Sequence, residues 1–323
     1  MSSGGKTWAI VLAAGEGSRL RAITTDALGR SIPKQFCSLR GERSLLAEAH
    51  ARARRVTIER RIVTIVAAEH RALWEQEFQG SARQNLIVQP RNRGTAPGLL
   101  VPLLSILDRD PDARIVVIPS DHHVENECVL AAALRSALHS TESDPASVVL
   151  LGMTPDSADR EYGWIVREPD SGAPQLVTRF VEKPESALAH ALFQSGALWN
   201  SFILAARGRA LLDLFEQRLP TLVAVLQGIG RVAPPAREAL HARVYAELDT
   251  LDFSRDVLTG FEQRLRVLET PPCGWTDLGT PERVAQCLAR ESVARPREAC
   301  AAPIVLERAL ALAGTRIARG ATN

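Results

Sequence analysis

The chain has 323 residues, 46% of them apolar, enough to bury one large α/β core or two smaller ones. Its 39 basic and 37 acidic residues leave a formal charge of +2, which excludes a general attraction to nucleic acid or membrane and makes any anion site a local one. The five cysteines, Cys37, Cys128, Cys273, Cys287 and Cys300, are scattered, odd in number and never spaced C-x-x-C. That excludes a disulfide framework or a zinc site of the usual spacing and fits a reducing compartment.

The N-terminal MSSGGKTW has no secretory apolar stretch, and no segment has the length of a membrane span; a soluble cytoplasmic protein is expected. TWAIVLA reads as a buried strand, SLLAEAHARARR as a helix and RIVTIVAA as a strand. EHRALWEQEF follows as a helix, NLIVQP as a short strand, and TAPGLLVPLLSILDR as a helix limited or kinked by its prolines. ARIVVIPSD is a further strand. Short β-branched runs alternating with helical periods predict a Rossmann-like α/β fold, mostly parallel, with helices on both faces. Ligands of such sheets bind at the carboxyl ends of strands. Three of those ends carry unusual chemistry: AAGEGSRL, QPRNRGTAP and PSDHH.

From Ser147 the rhythm changes. SVVLLGM, EYGWIVRE, QLVTRFVEKP and ALWNSFILAA read as strands with fewer helices between them, which predicts a mixed-sheet extension over the cleft. Residues 207–250 read as helical, RLRVLET as a late strand, and PPCGWTDLGTPERVAQCLAR as a turn entering a helix. The Ala- and Arg-rich tail 291–323 is expected to be helical or partly disordered.

The first glycine loop raises the question of its ligand. Gly15 and Gly17 allow close backbone approach, and the N–H groups of Ala14 to Ser18 after a strand form an anion nest. A dinucleotide fingerprint requires a third glycine where Leu20 stands, and a P-loop requires G-K-[ST]. Neither is present. Arg19 on the loop and Lys34 in IPKQF are two cations that would face a polyphosphate; the plain structural alternative is a tight turn with two solvated cations.

AIVLAAGEGSRL with PKQF, QPRNRGTAP, IPSDHHV, EYGWI, FVEKP, LWNSFIL and GWTDLGTPERV resembles the sugar nucleotidyltransferases, and within them the mannose-1-phosphate guanylyltransferase group. The resemblance covers roughly residues 7–290. It implies a nucleotidyltransferase type A-like domain over 1–290, with a nucleotide-binding half of about 1–145 and a sugar-binding half of 146–290. It implies formation of GDP-mannose and pyrophosphate from GTP and mannose 1-phosphate, with Mg²⁺ as cofactor. Two further readings stay open: the same chemistry with another sugar 1-phosphate or nucleobase, and a catalytically silent nucleotide-sugar sensor.

The resemblance also distributes roles. Arg19, Lys34 and Lys183 are the catalytic cations, and Asp121 and Asp277 hold the metal. Ala14, Gly15, Gly17, Ser18, Gln89, Asn92, Gly94 and Thr95 bind the nucleotide, with Gln89 and Gly94 at the base. Gly163, Glu182, Lys183 and Asn200 bind the sugar phosphate. Each has a structural alternative: an Asx-turn for Asp277, a helix cap for Thr95, surface charge for Glu182 and Lys183. Asn126 is a better cap than Asp121 for the helix that follows. Of the adjacent His122 and His123, one is expected behind the site and the other exposed. Trp164, Phe180, Trp199 and Phe202 read as core. The loop between Arg19 and Lys34 is longer than usual, EYGWI replaces a G-Y-G, and an isomerase activity is not expected from a chain ending near 323. GTP and a sugar 1-phosphate are the expected partners, without nucleic acid or membrane; homo-oligomerisation is left open.

Overall fold

Residues 6–290, apart from 27, 42, 170 and 171, together with Val305 and Leu306, are described by a computed structural model. The runs TWAIVLA, IVTIVA, LIVQ and RIVVIP form β1 (Thr7–Ala13), β2 (Ile62–Ala67), β3 (Leu86–Gln89) and β4 (Arg114–Pro119). They pair in parallel in the order β3-β2-β1-β4. Every residue of β2 is buried, as expected where helices cover both faces of a parallel sheet.

Between the strands lie α1 (Leu45–Arg54), α2 (Arg71–Glu77), α3 (Thr95–Leu107) and α4 (Glu127–Ser143). Ser44 caps α1, accepting from the Ala47 N–H at 3.0 Å. Asn126 caps α4 through the Val129 N–H, as its side-chain chemistry predicts. In α3 the proline at position 102 does not end the helix. Leu99, Leu100, Leu103 and Ile106 there are fully buried, so packing offsets what the proline removes.

The second half supplies β5 (Val148–Met153), β6 (Gly163–Arg167), β7 (Gln175–Glu182), β8 (Leu198–Arg207) and β9 (Leu265–Thr270). They extend the same nine-stranded sheet in the order β4-β8-β5-β9-β7-β6. β8 runs antiparallel to β4 and β5, while β5 and β9 are parallel. The two halves anticipated from sequence are therefore two ends of one sheet. The mixed part carries α5 (Ser186–Gln194), α6 (Gly208–Arg218), α7 (Pro220–Gly230), α8 (Pro234–Glu247) and α9 (Pro281–Arg290).

Alternate strand residues feed the two faces of the core. Ala9, Val11, Val116 and Ile118 lie in one cluster and Ile10, Ile115 and Val117 in the other, the period of two that a pleated strand imposes. β2 and β3 lie on one side of β1 and β4 on the other. The order thus reverses between β1 and β4, and a crevice opens at their carboxyl ends. Of the tail, Val305 forms a parallel bridge with Ser38 and Leu306 is fully buried; the rest of the anticipated 291–323 tail lies outside the described residues.

Candidate active site

The loop after β1 is shaped by IPKQF. Gln35 donates through Nε2 to the carbonyls of Ala13 at 3.1 Å and Gly15 at 2.9 Å. Gly17 has φ +62, and a Cβ built there would stand 2.9 Å from the Lys34 backbone nitrogen. This glycine is required by packing between the two loops as well as by its left-handed backbone. Gly15 is different: a Cβ added there meets nothing within 4 Å. It is exposed, as is Ser18, which opens a 3-10 turn Ser18–Leu20, while Ala14 is buried. Arg19 stands at the rim with a half-exposed side chain, 3.4 Å from Glu161 and 3.5 Å from Asp277 Oδ2.

Asp121 follows β4, and Asp277 lies between β9 and α9. What brings them together is a backbone bridge between His123 and Thr276. Each donates its N–H to the other's carbonyl at 3.0 Å. Lys34, buried to 4% exposure, lies across the pair. Its Nζ is 3.0 Å from Asp121 Oδ2 and donates to the Asp277 backbone carbonyl. Burial works against charge on both carboxylates, but Lys34, with His122 and, for Asp277, Arg283, outweighs it. Asp121 is held below the ordinary carboxylate range, and Asp277 down to about 2.

Both histidines are buried, so the expectation that one is exposed is corrected. The bridge to Thr276 draws His123 inward, with Nδ1 3.4 Å from Glu48. His122 Nε2 is 3.7 Å from Asp121, and its Nδ1 accepts from Trp275 Nε1 at 3.2 Å. Burial pushes His122 down to about 4, against the pull of Asp121, so it is neutral at pH 7.

On the mixed half, Gly163, Glu182 and Asn200 share one patch across β6, β7 and β8. A Cβ on Gly163 would lie 2.7 Å from Glu182 Oε2 and 3.3 Å from Asn200 Cβ. The glycine makes room for the Glu182 carboxylate. Glu182 is pushed up to about 7 by burial and by Asp252, partly offset by Lys183 and Arg255. Lys183 itself is well exposed, with its Nζ 4.0 Å from Glu182, and its backbone is left-handed at φ 45. Asn200 Oδ1 accepts from the Phe202 N–H at 3.1 Å, in a strand kink where Phe202 has φ 59.

At the end of β3, Gln89 is fully buried, and neither its Oε1 nor its Nε2 has a partner. Each unpaired amide atom costs about 1–3 kcal/mol. The adjoining loop is tied down: Asn92 Oδ1 accepts from the Gly94 N–H at 2.9 Å. Gly94 has φ +87, and a Cβ there would strike the Leu251 carbonyl at 2.2 Å. The Thr95 hydroxyl does not cap α3; it donates to Asp252 at 3.0 Å and accepts from the Phe253 N–H at 2.7 Å. Gly94 and Thr95 thus hold the 251–253 segment over this loop.

The sequence reading missed Tyr162, Arg283, Asp159 and Asp252. Arg283 contacts both Asp277, at 2.8 Å, and Asp159, and Tyr162 donates to Asp277 at 2.9 Å. One local signal was available: Arg283 is a cation in the first turn of α9, against the helix dipole. Of the four aromatics expected in the core, Trp164, Phe180 and Trp199 are buried, while Phe202, at the strand kink, is only half-buried. Among the described residues no group of three or more His, Cys, Asp or Glu is arranged to hold a metal, and no helix is long and apolar enough to cross a membrane.

Cation-bearing loops and two carboxylates, one after β4 and one brought beside it by the loop after β9, next to a polar patch on a mixed extension, are the architecture of a sugar nucleotidyltransferase. The nucleotidyl transferase family matches residues 8–290, and the chain belongs to that family; several of its curated relatives are described as mannose-1-phosphate guanylyltransferases. It is similar to the xanthan biosynthesis protein XanB of Xanthomonas campestris pv. campestris, with 29% identity over 84% of this chain and 57% of the relative. It is also similar to a mannose-1-phosphate guanylyltransferase of Klebsiella pneumoniae, with 30% identity over 68% of this chain and 46% of the relative. The chain spans about half the length of these relatives. Among solved structures, a Thermus thermophilus protein described as mannose-1-phosphate geranyltransferase superposes with TM-score 0.76 and 27% identity, over 88% of this chain and 79% of the other. A Bacillus anthracis protein described as a putative glucose-1-phosphate thymidylyltransferase shares the fold at TM-score 0.56 and 18% identity, over 90% of this chain and 98% of the other.

Proposed function

We propose that the protein joins GTP and mannose 1-phosphate into GDP-mannose and releases pyrophosphate. The observation that carries this reading is the placement of Lys34 between Asp121 and Asp277 at the open ends of β1 and β4. Attack of the sugar-phosphate oxygen on the α-phosphorus forms one P–O bond while the bond to the pyrophosphate oxygen breaks. The protein has to hold two mutually repelling anions in line and neutralise the charge that develops.

The residues divide that work. Gly15 and its neighbours Ala14, Gly17 and Ser18 face the triphosphate with backbone groups, and Arg19, half-exposed at the rim, exchanges its Glu161 and Asp277 contacts for the departing pyrophosphate. Lys34, sealed beneath the pair, fixes Asp121 and Asp277 beside the path of the α-phosphate. Gln89, whose amide is left without a protein partner, reads the base edge, inside a rim formed by Asn92, Gly94 and Thr95. Glu182 and Asn200 meet sugar hydroxyls beside Gly163, and exposed Lys183 takes the sugar phosphate.

Asp121 and Asp277 fit Mg²⁺. They are hard oxygen donors, both ionised at neutral pH, and two carboxylates with substrate oxygens and water complete the coordination such an ion prefers. The ion supplies charge neutralisation at the reacting phosphate. GTP and mannose as substrates are supported by the named relatives, and the unpaired thiols of Cys37, Cys128, Cys273 and Cys287 suit the cytoplasm.

The test is a matrix of four nucleoside triphosphates against mannose, glucose and galactose 1-phosphates, read as pyrophosphate release. The GTP and mannose pair should dominate. Dominance of another pair overturns the specificity, and binding without release in every cell overturns the enzyme in favour of a sensor.

A further inference from the structure

The two oxygens of Asp277 have different surroundings. Oδ1 accepts from Arg283 Nη1 at 2.8 Å, from the Tyr162 hydroxyl at 2.9 Å and from the Gly279 N–H at 2.9 Å. Oδ2 is faced by Arg19 at 3.5 Å, on the side of the glycine loop. Gly279 is part of the fitting: a Cβ there would come within 2.6 Å of both Asp277 Oδ2 and Arg283 Nη1.

Arg283 is itself fixed. One arm holds Asp277 and the other Asp159, and the guanidinium lies 4.1 Å from the centre of the Tyr162 ring. The Tyr162 ring stacks on Trp199 at 4.3 Å, in a wall of buried aromatic side chains. The Arg283 side chain is only 11% exposed. A cation in the first turn of α9 opposes the helix dipole, so the position is unfavourable locally and stands because the two carboxylates hold it. A lysine could not reproduce this, since only a planar guanidinium reaches two acids and stacks on a ring at once.

We propose that Arg283, together with Tyr162, is a positioning residue that occupies Asp277 Oδ1 and presents Oδ2 alone to a divalent cation. This rests on the metal role given above to Asp121 and Asp277. A carboxylate held to one oxygen suits Mg²⁺, which demands near-octahedral geometry and keeps several waters. A carboxylate free to turn offers both oxygens, which suits Ca²⁺ with its six to eight ligands. The bracing by Arg283 therefore selects against calcium. Hydrogen-bond partners of metal ligands commonly change affinity about 10–100-fold when removed.

The test uses the full chain with GTP and no sugar phosphate. Mn²⁺ bound to the protein is read by water-proton relaxation, then displaced with Mg²⁺ or Ca²⁺. In Arg283→Ala the effectiveness of Ca²⁺ relative to Mg²⁺ should rise about 10-fold. Tyr162→Phe should shift it the same way by less, and Arg283→Lys should restore part of the difference. If Arg283 only ties α9 to the loop around Asp159, Arg283→Ala lowers Tm and leaves the ratio unchanged, which overturns the proposal. Should Arg283→Ala fail to fold, Tyr162→Phe decides by the same ratio, since it removes a single donor from Oδ1. Absence of bound Mn²⁺ in the unmodified protein overturns the metal role of the two aspartates and this proposal with it, whereas bound Mn²⁺ with an unchanged ratio overturns this proposal alone.

Discussion

Lys34 and Asp121 form a pair across the crevice, Nζ to Oδ2 3.0 Å, with the lysine side chain 5% exposed and the carboxylate 36% exposed. The ammonium is sealed in while the carboxylate keeps an open side toward the crevice. Asp277 joins them through its backbone carbonyl, so three residues from three distant loops act as one unit. Asp121→Asn and Asp277→Asn should each reduce turnover by at least about 100-fold, and the double substitution should be little worse than either, because members of one unit lose their effect once. Initial rates together with thermal melts check this; near-normal rates in a folded single variant remove that residue from the site.

Gly15 and Gly17 should separate under substitution. Gly15→Ala meets nothing in the protein and should leave Tm unchanged or slightly raised. It should weaken GTP binding, since a methyl group would project into the space assigned to the triphosphate. Gly17→Ala strikes the Lys34 backbone nitrogen and takes a left-handed φ, a strain of about 1–2 kcal/mol before the clash is counted, and should lower Tm clearly. Melting curves and GTP titrations of both variants are the measurements. Normal GTP affinity in Gly15→Ala would mean that the loop holds its ligand elsewhere.

Much of this arrangement was legible in the chain. The hydrophobic runs gave the strands, and the chemistry gathered at AAGEGSRL, QPRNRGTAP and PSDHH pointed to one end of the sheet. The bridge between His123 and Thr276 was not legible, because a pairing between distant loops leaves no periodic signal. Its consequence, the burial of both histidines, was missed with it. The packing that requires Gly163 and Gly94 to be glycines was not legible either. The structure gives their missing side chains to Glu182 and to the Leu251 carbonyl, neighbours far away in sequence. Arg283 contradicted a local rule of helix charge, and only the fold shows the two carboxylates that explain it.

Gln89 is buried with both amide atoms unpaired. Gln89→Leu removes that unsatisfied group at nearly constant volume and should hold or raise Tm. Discrimination between GTP and other triphosphates should fall about 5- to 150-fold, the range that about 1–3 kcal/mol of lost hydrogen bonding implies. The check is the ratio of kcat/KM values for GTP and ATP. An unchanged ratio would assign base selection to other groups.

Glu182 is raised from 4.5 to about 7, chiefly by burial and then by Asp252. Between those values the folded protein keeps a proton that the unfolded chain has released. Stability therefore falls as pH rises from about 4.5 to 7, at up to about 1.4 kcal/mol per pH unit. Glu182→Gln should lose this component, so its Tm should gain on that of the unmodified protein as pH goes from 5 to 8. Parallel Tm profiles for the two proteins would show that Glu182 ionises normally.

Condensation itself can be followed directly by ³¹P NMR of the protein with GTP, mannose 1-phosphate and Mg²⁺, with and without excess chelator. The diphosphate resonances of GDP-mannose should grow together with pyrophosphate in equal amounts, and chelator should stop both. Retention of GTP and sugar phosphate unchanged by protein that binds both, or full turnover in excess chelator, would contradict a metal-assisted nucleotidyl transfer at Asp121 and Asp277.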